Sequence, residues 1–181
     1  MRIAVSGAHR TGKTTLIEEL RRSLPTYEAV DEPYRLLEEE GHEFARMPAL
    51  EDFELQLGRS IDCVVRSKND QLFDRCPADI LAYLVTHRDS AGFDLEPWLS
   101  RARPAMRRID LVVFVPVERP DRVMGRDKRE DRLRGRVDEE MREILLEDRW
   151  GFEVEVLEVA GSVRERADQV LARIRALTGR S

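Results

Sequence analysis

The sequence has few of the residues that build metal centres or disulfide scaffolds. Its 181 residues include only two cysteines, Cys63 and Cys76, and three histidines, His9, His42 and His87. No zinc-ligand spacing joins these residues, and so few thiols fit a reducing compartment. A chain of this length buries enough apolar surface to fold as one domain without disulfides or structural metals.

Long apolar runs and an excess of positive charge are also missing. The N-terminal apolar run, residues 3–5, is far too short for a signal peptide or a membrane span. The 31 basic and 36 acidic residues give a net charge of −5, whereas a general nucleic-acid binder is usually basic. The sequence therefore predicts a soluble, cytoplasmic protein without a membrane partner, and it disfavours general nucleic-acid binding.

Short apolar segments alternate with amphipathic segments along the whole chain. Residues 109–115 form the clearest strand, because residues 111–115 carry no charge, as in a strand covered on both faces. Further strands are predicted at 2–6, 27–30, 71–74 and 154–159. Helices are predicted at 13–24, from 33 onward, at 50–65, 78–87, 96–106 and 137–150, and from 163 to a stop at Gly179. This order predicts one α/β domain over 1–181, in three α/β/α layers around a parallel sheet of about five strands.

The most specific motif lies between the first strand and the first helix. It fits the pattern G-x-x-x-x-G-K-[ST] in full. Its residues, with the threonine that follows, are Gly7, Ala8, His9, Arg10, Thr11, Gly12, Lys13, Thr14 and Thr15. Glycines allow positive φ, so that backbone N–H groups point at phosphate oxygens, and the helix dipole adds to their attraction.

The side chains of this loop complete a site for a nucleoside triphosphate. Lys13 would neutralise the β- and γ-phosphates, the Thr14 hydroxyl would bind Mg²⁺, and Thr15 would contact the α-phosphate. We expect the ligand to be ATP with Mg²⁺.

Two acidic residues follow the second predicted strand. Ligands of open α/β sheets lie beyond the carboxyl ends of the strands, where a carboxylate can act as general base. Asp31 and Glu32 have this position, and strand alternation allows only one of them to face the site. The alternative is a helix N-cap ahead of Pro33.

An acid and an arginine end the third predicted strand. Asp74 could hold Mg²⁺ through water, and Arg75 could clamp a transferring phosphoryl group. The alternative is an ordinary surface ion pair at a turn.

A basic segment at about 118–136 follows the strongest strand, where phosphotransferases place a mobile lid. Such a lid excludes water, and its arginines spread the charge of the transition state. The basic residues are Arg119, Arg122, Arg126, Lys128, Arg129, Arg132, Arg134 and Arg136. Arg122 and Arg126 are the first candidates to reach phosphate; the alternative is a solvated helix with i,i+4 ion pairs.

These segments resemble the nucleoside and nucleotide kinase branch of the P-loop proteins. In layout the chain is similar to deoxynucleoside kinases, thymidylate kinases and small bacterial AAA-like ATP-binding proteins. The resemblance covers the whole chain loosely and is highly specific only in the phosphate loop, residues 7–15. It implies a kinase, with Glu32 rather than Asp31 as the base and Asp74 with Arg75 matching an acid–arginine pair.

The resemblance also implies two substrate subsites. Deoxynucleoside kinases use a phenylalanine and a glutamine for the acceptor, which points to Phe53 and Gln56, although their spacing differs from that family's. The kinases place adenine against the loop after the last strand, here residues 160–163 with Gly161 and Ser162. The acceptor is therefore expected to be a small nucleoside-like or nucleotide-like molecule.

Three other functions compete with a kinase. A GTPase needs N-K-x-D, which the sequence lacks, and the D-x-x-G at 89–92 follows a helix. A motor-type ATPase needs four apolar residues before an acid, and Gln71 makes the third strand too polar at its start. A regulatory nucleotide-binding module would bind the nucleotide without transferring a phosphoryl group.

The apolar stripe at 50–65 could also support a homodimer.

Overall fold

A computed structural model describes residues 1–45, 48–118 and 128–179. Within these ranges it contains five strands and seven helices. The strands are β1 (Arg2–Ser6), β2 (Glu28–Val30), β3 (Gln71–Asp74), β4 (Leu111–Phe114) and β5 (Val156–Glu158). The helices are α1 (Lys13–Ser23), α2 (Pro33–Glu39), α3 (Leu50–Val65), α4 (Pro77–Thr86), α5 (Glu96–Met106), α6 (Lys128–Leu145) and α7 (Val163–Thr178).

The five strands form one parallel sheet in the order β2-β3-β1-β4-β5. β1 lies at the centre, with Ala4 opposite Phe73 of β3 and Val112 of β4. This confirms the predicted α/β class and the parallel sheet of about five strands. All five carboxyl ends therefore meet at one edge of the sheet.

Alternating side chains of the central strands build two apolar cores. Ile3, Val5, Leu111 and Val113 are fully buried on the face covered by α1 and α7. Ala4, Phe73, Val112 and Phe114 are buried on the other face, under helices α3 to α6. Burying one such side chain contributes about 1.5–3 kcal/mol for the larger residues, so the two faces together hold the sheet between its helical layers.

The structure corrects the predicted boundaries after β4. Helix α6 begins at Lys128, well before the predicted start at residue 137, and it ends at Leu145 rather than 150. Lysine, arginine and glutamate are good helix formers, so the charged turns extend the helix whose apolar anchors begin at Val137. Residues 128–136 of the predicted lid are thus helical, while Arg122 and Arg126 lie outside the described residues.

The apolar stripe of α3 packs inside its own chain. Leu57, Ile61 and Val64 are buried against the rest of the core, and Val65 is the stripe residue with the most exposure, at 48%. The stripe therefore no longer argues for a homodimer, which stays an untested prediction. None of the described helices combines the length and apolar character needed to cross a bilayer.

Candidate functional site

The phosphate loop lies at the middle of the carboxyl edge of the sheet. It leaves the central strand β1 and ends where α1 begins at Lys13. Asp31 and Glu32 follow β2, Asp74 and Arg75 end β3, and residues after β4 and β5 lie on the other side. Parallel pairing thus brings four distant parts of the sequence around one loop.

Two glycines of the loop have conformations that other residues rarely adopt. Gly7 has φ of +154°, and a Cβ placed there would lie 2.3 Å from the carbonyl oxygen of Val115. Gly12 caps α1 with φ of +88°. The first glycine is therefore required both by its backbone conformation and by the close approach of the chain after β4.

Lys13 lies buried beneath the loop, with 6% of its surface exposed. Its Nζ donates to the carbonyl oxygen of Ala8 at 2.8 Å. Burial and the neighbouring Arg75 lower the pKa of Lys13 to about 7, against the opposing charges of Asp79 and Asp74. A polyphosphate in the loop would supply negative charge and restore the lysine's preference for its protonated form.

Thr14 and Asp74 form a pair suited to a hard cation. The Thr14 hydroxyl donates to Asp74 Oδ2 at 2.9 Å, while the buried Oδ1 of Asp74 has no hydrogen-bond partner. Burial raises the pKa of Asp74, and Lys13 opposes that shift. Oxygen ligands of this kind suit Mg²⁺. Among the described residues, no group of three or more His, Cys, Asp or Glu side chains could hold a metal ion.

Arg75 connects three parts of the site. Its Nε donates to Glu32 Oε2 at 2.9 Å, and its Nη1 donates to the carbonyl oxygen of Gly7 at 3.2 Å. The same Nη1 lies 3.4 Å from Asp79 Oδ1. Arg75 adopts a left-handed φ of +76°, which costs about 1–2 kcal/mol for a residue with a Cβ. The strain is offset by contacts that point the guanidinium at the phosphate loop.

The two acids after β2 have different environments. Glu32 is held by Arg75, and its side chain is 25% exposed. Asp31 is exposed to solvent. Glu32 is the N-cap residue of α2, yet its side chain makes no capping hydrogen bond. The two acids therefore differ in their contacts: Arg75 binds Glu32, whereas Asp31 is exposed. Helix capping does not explain the position of the Glu32 side chain.

His9 and Tyr83 form a hydrogen-bonded pair between the phosphate loop and α4. The backbone N–H of His9 donates to the Tyr83 hydroxyl at 3.0 Å, and His9 Nδ1 lies 3.2 Å from the same oxygen. Burial, followed by the charges of Arg134, Arg75, Arg10 and Lys13, lowers the pKa of His9 to about 4. The imidazole is therefore neutral at physiological pH and keeps one N–H to donate.

The two predicted acceptor residues have different positions. Phe53 stacks on Tyr83, with ring centroids 5.8 Å apart and planes 5° from parallel. Gln56 is only 7% exposed, and its Nε2 donates to the carbonyl oxygen of Asp52 in its own helix. Phe53 thus belongs to the aromatic cluster beside the loop, whereas Gln56 is used within α3.

The loop after β5 lines two neighbouring cavities beside the phosphate loop. Their volumes are about 690 Å³ and about 280 Å³. Gly161, Ser162, Pro116, Glu118 and Arg166 line both of them. Ser162 also caps α7, because its hydroxyl oxygen accepts from the backbone N–H of Glu165. Gly161 and Ser162, the residues predicted to contact adenine, therefore line a space large enough for a planar ring.

Several residues of the site were not singled out from the sequence. Arg166 of α7 donates to the carbonyl oxygen of Thr11 at 2.9 Å and to Glu118 at 2.6 Å. Arg134, one of eight basic residues in the predicted lid, donates to the carbonyl oxygen of Arg10 at 3.2 Å. A sequence pattern could have identified Asp79, because an acid at the third position of a helix often accepts a hydrogen bond from the N-cap backbone N–H. No sequence pattern pointed to Arg166.

The sequence matches a family model described as an AAA domain over residues 2–166. The chain belongs to this AAA domain family. The predicted resemblance to P-loop proteins of the kinase-like branch, including AAA-like ATP-binding proteins, is thereby confirmed. No curated protein sequence matches the chain at a significant level.

Solved structures with this fold include several kinases. Deoxyadenosine kinase from M. mycoides superposes with a TM-score of 0.68 at 15% identity, covering 98% of this chain and 100% of that chain. Thymidylate kinase from Candida albicans has a TM-score of 0.65 at 15% identity, with 99% and 92% covered. NadR in complex with NR has a TM-score of 0.68 at 22% identity, with 98% of this chain and 49% of NadR covered. This AAA domain therefore has the fold of the P-loop kinases.

Proposed function

We propose that this AAA domain is a Mg²⁺- and ATP-dependent kinase that transfers the γ-phosphoryl group to a small acceptor, either a nucleoside or a nucleotide. The observation that carries the proposal is the contact of Arg75 with both Glu32 and Gly7. It places a carboxylate and a guanidinium beside the phosphate loop, on the side away from the cavities after β4 and β5. A simple nucleotide-binding module would not need this carboxylate.

Glu32 is the proposed general base. Its Oε2 accepts from Arg75, which orients the carboxylate, while its Oε1 lies 3.6 Å from Nε of Arg35 and would accept the proton of the acceptor hydroxyl. Asp31 is exposed and makes no such contact with Arg75, so we assign it no catalytic role. With a phosphate acceptor, Glu32 would orient the acceptor rather than deprotonate it.

The remaining roles follow from charge and position. Lys13 and Arg75 would stabilise charge on the transferring phosphoryl group, and Thr14 with Asp74 would bind Mg²⁺ together with phosphate oxygens. When bound there, the ion would offset the negative charge of the phosphates. Arg122 or Arg126, which lie outside the described residues, are kept from the sequence prediction as candidates to contact the phosphates.

The base of ATP is assigned to the cavities beside the loop after β5. Gly161 and Ser162 would contact the adenine, and Pro116 lines the same two cavities. The acceptor is assigned to the other side of the phosphate loop, near Glu32 and the aromatic pair of Phe53 and Tyr83. This division puts donor and acceptor on opposite sides of Lys13, as in-line transfer needs.

A nucleoside-like acceptor is supported by the aromatic cluster and by several of the similar structures, whereas another of them is a shikimate kinase. Deoxyadenosine kinase, thymidylate kinase and the NR complex of NadR all involve nucleosides or nucleotides. Identities of 15% to 22% leave the individual acceptor open, so the experiment has to compare several.

The proposal is tested by ADP release from Mg·ATP in the presence of single candidate acceptors. The panel comprises deoxyadenosine, thymidine, dCMP, thymidylate and NR, with glycerol as a non-nucleoside alcohol. Release that rises at least tenfold with one acceptor, with matching phosphorylated product by mass spectrometry, is the expected result. If no acceptor changes the rate of ADP release, the protein is an ATPase rather than a kinase. If ATP binds but no ADP is released, the protein is a regulatory nucleotide-binding module.

A further inference from the structure

Asp79 is the most completely buried charged residue beside the phosphate loop, with 0% of its surface exposed. Its Oδ1 accepts from the backbone N–H of Gly7 at 3.0 Å, and its Oδ2 accepts from the backbone N–H of Cys76 at 3.0 Å. Arg75 Nη1 lies 3.4 Å from Oδ1. We infer that Asp79 is a positioning residue that holds the first peptide of the phosphate loop and Arg75 in one rigid frame.

The two polar atoms of Gly7 are held by the same group of side chains. The N–H of Gly7 donates to Asp79, and the carbonyl oxygen of Gly7 accepts from Arg75. Because Arg75 also bonds to Glu32, a continuous chain of charge-assisted hydrogen bonds connects the loop to the carboxylate after β2. The orientation of the loop's first peptide and that of Glu32 are thus coupled through Asp79 and Arg75.

Helix capping explains only part of this arrangement. Asp79 is the third residue of α4, and its bond to Cys76 N–H is the usual capping contact. Asp52 has the same position in α3 and accepts from Ala49 N–H at 2.8 Å. The contact of Asp79 with Gly7 reaches a distant loop, and its contact with Arg75 reaches the residue that precedes the N-cap, so its role extends beyond capping its own helix.

A carboxylate is needed because backbone donors approach both oxygens. Asparagine has nearly the same shape, but it offers one acceptor oxygen and would turn an amide N–H toward one of the two buried N–H groups. A buried donor left without an acceptor relaxes by moving, and displacements of about 1 Å in a catalytic site lower turnover by about 100-fold. Asp79→Asn should therefore disturb the loop while keeping the volume of the core.

The test compares Asp79→Asn with Asp52→Asn, which removes the same kind of cap from α3. The first readout is affinity for Mg·ATPγS by calorimetry on the full chain, with folding checked by circular dichroism at the same temperature. Asp79→Asn should weaken affinity about 10- to 100-fold, whereas Asp52→Asn should stay within twofold of the parent. A folded Asp79→Asn protein that binds within twofold of the parent would overturn the inference.

The second readout is turnover, and this part rests on the proposed kinase function. Asp79→Asn should lower kcat with the best acceptor about 10- to 100-fold, while the acceptor KM changes less than threefold. Arg75→Gln should cost less in the Asp79→Asn background than in the parent, because the two residues act together. If the parent shows no acceptor-dependent turnover, the kinase proposal fails, but the affinity comparison still decides the role of Asp79.

A measurement on the unmodified protein covers the case in which Asp79→Asn does not fold. The N–H of Gly7 should exchange with deuterium at least 100-fold more slowly than the N–H of Gly92, an exposed glycine, in the absence of nucleotide. Equal exchange rates for the two glycines would show that Asp79 does not hold the loop, and would overturn the inference without any substitution.

Discussion

At the residue scale, Lys13 combines a positive charge with a site that penalises charge. It is 6% exposed, and burial with Arg75 lowers its pKa to about 7. Lys13→Ala should therefore leave the fold intact, because it removes a desolvated cation rather than a favourable ion pair. It should also abolish phosphoryl transfer, measured as acceptor-dependent ADP release.

Lys68→Ala is the matched control for Lys13→Ala, because Lys68 is exposed and lies outside the phosphate loop. It should leave both fold and transfer unchanged. Unchanged transfer in the Lys13→Ala protein would contradict the proposed use of the phosphate loop.

The two acids after β2 allow a similar comparison. Glu32→Gln should lower kcat by about 100- to 10,000-fold if Glu32 is the general base for a hydroxyl acceptor. Asp31→Asn should cost less than tenfold, because Asp31 is exposed. Kinetics of both variants with the best acceptor decide the point, and a loss below tenfold for Glu32→Gln would remove its role as base.

His9 predicts a pH dependence of stability. Its pKa in the folded protein is about 4, below the value of 6.5 for an exposed histidine. Between these values the unfolded chain binds a proton that the folded protein does not, so stability is complete above pH 6.5 and falls as the pH drops toward 4. Urea unfolding across this range should show a smaller loss for His9→Gln; an identical loss would contradict the shift.

At the scale of elements, Gly7 joins the end of β1 to the chain that follows β4. A methyl group there would lie 2.3 Å from the Val115 carbonyl oxygen, and φ is positive. Gly7→Ala should therefore destabilise the fold by about 2–4 kcal/mol in urea unfolding, from strain and overpacking together.

Gly92→Ala separates these two causes of destabilisation. Gly92 has a positive φ of +86°, but no atom lies within 4 Å of the added Cβ. It should lose only about 1 kcal/mol, the cost of the left-handed backbone. Equal losses for Gly7→Ala and Gly92→Ala would show that contact with Val115 is unimportant.

The elements also show where sequence patterns were sufficient. The stripe of α3 and the polar strand β3 have the bounds predicted for them, because side-chain periodicity and the flanking turns determine both. Helix α6 was predicted too short, because its first turns carry charges rather than an apolar face. A search for apolar periodicity does not detect a helix whose beginning is supported by charged residues.

At the scale of the whole molecule, the candidate site combines residues that lie at or just after the carboxyl ends of all five strands. A ligand bound there should therefore raise the free energy of unfolding of the whole domain. Mg·ATPγS at 100 times its Kd should add about 2.7 kcal/mol to the free energy of unfolding. For a domain of this size, that corresponds to a rise in Tm of about 5–10 °C by calorimetry. The rise should be absent in Lys13→Ala protein; an equal rise there would place the nucleotide elsewhere.

The amino-acid sequence by itself determined the α/β order, the parallel sheet and the phosphate loop. These features depend on local patterns: apolar periodicity, turn residues, and a glycine-rich motif whose chemistry is complete within nine residues. The motif also predicted that Lys13 and Thr14 would lie together, since both belong to the same turn of α1.

Only the tertiary structure decided which side chains surround that loop. Arg166 reaches Thr11 from the far end of the sequence, and Asp79 reaches Gly7 from α4, because parallel strands bring their carboxyl ends together. The same packing distinguishes Glu32, held by Arg75, from its exposed neighbour Asp31. Contacts between residues so distant in sequence depend on how the layers pack, which no local pattern of residues encodes.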